Sequence, residues 1–406
     1  MQNVKENKMI TDKALLPYAD LLCEWLATQE EKMIHCLQAL VEIDSNSYDK
    51  EGVDAAGRLI ASWLEADGIE CRWHTSVNSG DVLEARIDSG CDKNDPLPAI
   101  YLMGHRDTVF PKGTVATRGF SREGMTAFGP GVADMKSGLV LNCFVLKGLQ
   151  YLLTHSDIGE LPCPVIGLFT GDEEIGSPEG HHVIQRMVKG AKAVFNAEPG
   201  RISGNVVSAR KGGASFDILV KGKAAHSGVN HADGASAIAG LALIITDLHG
   251  LTDYDSGVTT NVGLISGGIS SNTVAPEASA RLDLRYITKE QMTEAIAAIQ
   301  EIVDRPRLQG VTASMHLLAA FHPFEARMSE ALLAHYQQQA ETLGFSVEGE
   351  FTGGCSDAGF TSSMGVPTLC GTGPVGAKMH TDGELCLLDT FVPRAQAVAK
   401  SVLLLP

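Results

Sequence analysis

The chain has 406 residues, and its 32 Lys and Arg against 49 Asp and Glu leave a formal charge of −17. Hydrophobic residues at 44 % and charged residues at 20 % exclude a disordered or fibrous chain, and the length suggests two or three domains. The acidic balance argues against binding a nucleic-acid backbone or an anionic membrane, both of which need a positive field.

Met1–Lys13 is polar and does not read as a secretory leader. No run of about 18 consecutive apolar residues occurs, so no transmembrane helix is expected. Nine scattered cysteines without a CxxC pair fit reduced thiols and a cytoplasmic location.

Two helical stretches are read near 14–43 and 51–67, then strands near 69–76 and 82–87. Short apolar runs follow at 99–103, 165–169, 193–195 and 367–370, each stopped by turn residues, as strands buried on both faces would be. Helices are read at 138–154 and 329–343. Alternating strands and helices give an α/β sheet, mixed but mostly parallel, flanked by helices. The middle differs. Strands at 215–221, 258–265, 279–287 and 311–318 interleave with helices at 234–249 and 289–303, in the order β-α-β-β-α-β of a ferredoxin-like α+β unit. A domain of 211–322 is therefore expected inside a larger one made of 1–210 and 323–406.

Chemistry-bearing residues sit just past the buried strands. His105 and Asp107 follow the first run, Glu173 and Glu174 the second, Glu198 the third, and His380 comes after the fourth. Asp134 lies in a glycine-rich loop ahead of a helix. In an open α/β sheet, ligands bind beyond the carboxyl ends of strands. So many carboxylates in one place would repel each other without a cation. Two imidazoles among them suit Zn, or Co or Mn, better than Mg or Ca. The count suggests two ions sharing a bridging carboxylate, with a spare carboxylate as general base. Taken singly, a His-x-Asp or a Glu-Glu pair has an ordinary structural reading; the conjunction after successive strands carries the inference.

The stretches Gly104-His105-Arg106-Asp107-Thr108, Gly129-Pro130-Gly131-Val132-Ala133-Asp134-Met135-Lys136, Asp172-Glu173-Glu174, Asn196-Ala197-Glu198-Pro199, Ala225-His226-Ser227, Asn272-Thr273-Val274, Gly353-Gly354-Cys355 and His380 together resemble one known family. It is the zinc-dependent acetylornithine deacetylase, succinyl-diaminopimelate desuccinylase and glutamate carboxypeptidase family, and the glutamate carboxypeptidase branch is nearest. The resemblance implies a zinc-exopeptidase-like catalytic domain with an inserted lid and dimerisation domain. It implies two zinc ions bridged by Asp134, with His105 and Glu198 on one and Glu174 and His380 on the other. Glu173 is then the general base, Asp107 orients His105, and the Asp134–Met135 peptide is cis. His226 would reach a partner's site and donate to the oxyanion. Arg285 and Asn272 would hold a substrate carboxylate, with Gly354 and Cys355 lining the pocket. For Arg285, a salt bridge on the exposed face of its strand is the plain structural alternative. Arg106 and Cys355 depart from the family pattern. Arg106 either tunes substrate binding or turns to solvent.

The expected function is a dinuclear zinc hydrolase acting on an amide beside a free carboxylate, a carboxypeptidase releasing C-terminal glutamate or a similar residue. The alternatives are an N-acyl-amino-acid deacylase on the same scaffold and, remotely, an inactive binding protein. The expected partners are a small peptide or N-acyl amino acid and a second copy of the chain; neither nucleic acid nor membrane is expected.

Overall fold

A computed structural model describes residues 12–90 and 98–406. The reading of Met1–Lys13 falls almost wholly outside them, as does Cys91. The other eight cysteines are all free thiols. The chain divides into two compact units, one of Met1–Ser208, Ala326–Phe351 and Met364–Pro406, the other of Ala209–Glu325 and Thr352–Ser363. The segment Thr352–Ser363, with Gly354 and Cys355, thus joins the second unit, although the sequence reading assigned it to the first.

The first unit is built on an eight-stranded sheet. Its order is Glu70–His74, Val82–Ile87, Val165–Thr170, Ile100–His105, Ala193–Asn196, Thr368–Cys370, Val206–Arg210, Gly349–Thr352. The four middle strands, from Val165–Thr170 to Thr368–Cys370, are parallel. Val82–Ile87 joins them antiparallel, and so does Val206–Arg210 on the other side. Ile100–His105 and Val165–Thr170 are buried along their whole length, which explains their continuous apolar sequence. All the parallel strands run the same way, so their carboxyl ends share one edge.

The helix Ser137–His155 is buried on nearly every side. With its preceding turn it is long and apolar enough to cross a membrane, a property hidden by the sequence criterion of unbroken apolar runs. Most of it is buried inside the first unit, and a helix apolar all round is what the centre of a large core demands. The single helical stretch expected over 14–43 is two helices, Asp12–Ala27 and Glu30–Val41. The break falls at Thr28, whose hydroxyl donates to the Trp25 carbonyl at 2.7 Å and competes with continuation of the helix.

The second unit is a four-stranded antiparallel sheet in the order Thr259–Gly267, Glu277–Tyr286, Gly212–Lys221, Thr312–Phe321. Alternation along these strands sends Phe216, Ile218, Val220, Leu282, Leu284 and Tyr286 into a core, where the helices Ala237–His249 and Lys289–Asp304 supply Leu241, Ile244, Ile299 and Val303. Opposite-facing Arg281 and Asp217 pair across the sheet at 2.9 Å. Ser236 caps the first helix, and Thr288 with Gln291 forms a capping box on the second.

Candidate metal centre

His105, Glu173, Glu174 and Glu198 stand at or just beyond the carboxyl ends of the first unit's parallel strands, whereas Asp134 and His380 follow the short strands Thr126–Phe128 and Gly376–Ala377 of a separate small sheet. His105 is the last residue of its strand and is buried. Its Nδ1 donates to the Asp107 carbonyl at 3.0 Å and lies 3.3 Å from that residue's Oδ1. This leaves Nε2 facing outward, 3.3 Å from Asp134 Oδ1 and 3.8 Å from Glu198 Oε1. On the other side, His380 Nε2 lies 3.3 Å from Asp134 Oδ2 and 3.1 Å from Glu174 Oε2. Two ligand groups result, His105–Asp134–Glu198 and Asp134–Glu174–His380. Asp134 belongs to both, and it turns a different oxygen to each histidine.

The donor set fits two divalent cations. Each group pairs one imidazole with carboxylates, a mixed nitrogen and oxygen donor set of the kind zinc accepts. Glu174 Oε1 is buried and makes no hydrogen bond, which is costly for a carboxylate oxygen and would be offset by a bound cation. Burial opposes charge on His105, but its contacts with Asp107 and Asp134 outweigh this and raise its pKa well above the usual value. Hydrogen bonds to Asp134 and Glu174 push His380 up to about 10. Burial, reinforced by the charge of Asp134, pushes Glu174 up to about 7.

Asp107 organises the neighbourhood. Its fully buried carboxylate accepts the Ser47 hydroxyl at 2.7 Å and the backbone N–H groups of Glu173 and Glu174 at 3.1 and 3.0 Å. One carboxylate therefore fixes the ring of His105 and the turn carrying Glu173 and Glu174. Glu173 is buried, with its Oε2 3.9 Å from His105 Nε2. The Asp134–Met135 peptide is cis. Two residues in this shell escaped the sequence reading: Ser47, and Glu384, whose carboxylate accepts backbone N–H groups of the Asp134 loop. Ser47 carried no signal in its polar run, and Glu384 lies beyond His380, outside the matching stretches.

Arg106 does not turn to solvent. It is fully buried and donates to the carbonyls of Thr170, Val53 and Asp81. Its guanidinium carbon lies 5.6 Å from the Trp73 ring centre. Burial lowers its pKa to about 10. Gly57 makes the room: a Cβ there would fall 1.9 Å from Arg106 Nη1 and 2.8 Å from Trp73 Cη2. Gly57→Ala is expected to destabilise the protein by about 1–3 kcal/mol through overpacking, measured by urea unfolding. Combining it with Arg106→Met should recover part of the loss.

The remaining residues form two groups in the second unit. Arg285 Nε and Nη2 hold Asp283 in a two-point pair at 2.8 Å each, and its Nη1 donates to Cys355 Sγ at 3.0 Å. The salt bridge considered for Arg285 is therefore real, but it occupies only one edge of the guanidinium. Arg210 Nη1 donates to the carbonyls of Gly354 and Cys355 at 3.2 and 3.3 Å. His226 and Asn272 form the other group, on adjacent exposed loops joined by the Ser227 N–H to the Asn272 carbonyl at 3.0 Å. The Gly228 N–H donates to His226 Nδ1 at 3.1 Å, which leaves Nε2 without a partner in its own loop.

These groups occupy opposite ends of the sheet. Arg285 pairs with Gly213, whereas Glu277 pairs with Lys221, at the end where the loops of Asn272 and His226 emerge. Eight residues of extended strand separate 277 from 285, about 26 Å. The structure does not bring Asn272 together with Arg285 inside one chain.

Residues 208–311 match the family model described as the peptidase dimerisation domain, M20_dimer. Carboxypeptidase G2 of Pseudomonas sp. (strain RS-16) is 27 % identical, across 97 % of this chain and 94 % of that protein. The aminopeptidase PepT of Bacillus cereus superposes with a TM-score of 0.74 at 22 % identity, covering 92 % of this chain and 98 % of that one. The M20 family metallo-carboxypeptidase Sso-CP2 of Sulfolobus solfataricus gives 0.72 at 16 %, again covering 92 % and 98 %.

Proposed function

We propose that the chain is a hydrolase of the M20 peptidase type, a dinuclear zinc carboxypeptidase cleaving an amide beside a free carboxylate, with C-terminal glutamate or a similar residue as leaving group; the dimerisation-domain match and the likeness to Carboxypeptidase G2 and Sso-CP2 support this reading. The observation that carries the reading is the shared ligand: Asp134 offers one oxygen to the His105 side and the other to the His380 side. His105 and Glu198 would hold one ion, Glu174 and His380 the other. When bound, the pair would polarise the scissile carbonyl and acidify a water between them.

The chain's own groups do the rest. Glu173, buried beside His105, takes a proton from the attacking water and returns it to the leaving amine. Asp107 holds the His105 ring and the Glu173 turn in register. Arg285, with one edge tied to Asp283, keeps Nη1 and Nη2 for an incoming carboxylate, which would displace the Cys355 contact. His226, whose Nδ1 accepts from Gly228, presents its Nε2 as an oxyanion donor. Since His226 and Arg285 lie at opposite ends of one sheet, both can serve one substrate only if His226 comes from a second copy. A homodimer through the second unit supports that arrangement, and the dimerisation-domain match favours it. The free thiols favour a reducing, cytoplasmic setting.

The test joins metal analysis to a substrate panel. We expect two zinc ions per chain after gentle purification and a higher kcat/KM for peptides ending in glutamate than for those ending in ornithine or a neutral residue. Fewer than one ion per chain would remove the dinuclear reading. Rates controlled by the acyl part alone would favour an N-acyl-amino-acid deacylase.

A further inference from the structure

Glu384 is a fully buried carboxylate on the segment that follows His380. Its Oε1 accepts the backbone N–H groups of Ala133 at 2.9 Å and Asp134 at 3.0 Å, and its Oε2 accepts that of Gly131 at 3.3 Å. The loop it grips supplies the shared ligand. Its own backbone N–H donates to the Thr381 carbonyl at 3.1 Å, which closes the turn just beyond His380. The Thr381 hydroxyl donates to the Lys378 carbonyl on the other side of His380 at 2.7 Å. Lys378 and His380 both have positive φ, 58° and 62°, so this turn is not one a free chain prefers.

We propose that Glu384 is a positioning residue for the metal pair: by holding three backbone amides of the Asp134 loop from the His380 turn, it sets the spacing between the shared carboxylate and the second histidine. The two loops lie about 250 residues apart in the chain, and one side chain joins them. Three backbone N–H groups converge on this one carboxyl group, so a single side chain ties the loop to the turn. The carboxylate touches no proposed ligand oxygen or imidazole, so its action runs through the backbone. The inference rests on the metal-site reading above.

The test measures metal affinity, not turnover. Zinc binding is followed by competition with a chromophoric chelator in wild type, Glu384→Gln, Glu384→Ala and the core control Leu149→Ala. The cobalt-loaded proteins are compared by their visible d–d spectra. Glu384→Gln keeps the shape but loses the charge and one acceptor. We expect it to fold, to bind both ions roughly 10–100-fold more weakly and to show altered cobalt bands. Glu384→Ala should fall further where it folds. Leu149→Ala should lower the melting temperature while keeping wild-type affinity and spectrum. Wild-type affinity and bands in Glu384→Gln would overturn the proposal, as would an equal loss in Leu149→Ala. If wild type itself bound no zinc or cobalt, the metal-site reading would fall first and this one with it.

Discussion

Glu173→Gln is expected to retain both metal ions and to lose roughly 10²–10⁴-fold in kcat, the usual contribution of a positioned general base. The substitution preserves the volume and the buried position but removes the proton acceptor. The Glu173 backbone N–H still reaches Asp107, so the turn keeps its place and Glu174 keeps its direction. KM should change little, because the group acts on the proton in flight and not on the bound ground state. Metal content per chain and kcat, measured on one sample, decide the matter. Near-wild-type turnover with full metal would remove Glu173 as the base. Lost turnover with lost metal would recast it as a ligand, in competition with Glu198 beside His105.

The candidate metal centre was legible in the sequence where a side chain follows a short apolar run, because a strand buried on both faces has to end where its loop meets solvent; Asp134, in its glycine-rich loop, is the exception. His105, Glu173, Glu174 and Glu198 could all be read in this way. The features that hold them could not. Arg106 looked like a surface or substrate group because charge is normally exposed. Its burial depends on Gly57, which sits one side chain away in space and 49 positions away in the chain. Glu384 serves backbone amides, and a backbone acceptor leaves no pattern in side-chain spacing. His380 stands at a positive φ that only the surrounding turn enforces.

The second unit shows the same division between periodic pattern and long-range pairing. Its strands alternate cleanly, so the buried and exposed faces of Glu277–Tyr286 followed from a period of two. What sequence could not supply was that Thr352–Ser363 returns to this unit and lays Cys355 against Arg285. Likewise, Asn272 and Arg285 are only 13 positions apart in the chain, yet the strand between them carries them to opposite ends.

That separation produces the second large effect. His226→Ala alone should fold, bind metal and lose roughly 10²–10³-fold in kcat, the scale of one lost oxyanion donor. Mixing it with Glu173→Ala under conditions that exchange subunits should restore activity. Each mixed dimer contains one site with an intact Glu173 from the first chain and an intact His226 from the second. The other site in that dimer lacks both. Random exchange of equal amounts makes half of the dimers mixed, so recovery should approach about one quarter of wild-type turnover. If His226 served its own chain, every site would lack one of the two groups and no activity would return. Activity measured before and after exchange, at fixed total protein and metal, separates a site completed across two copies from one complete within a single chain.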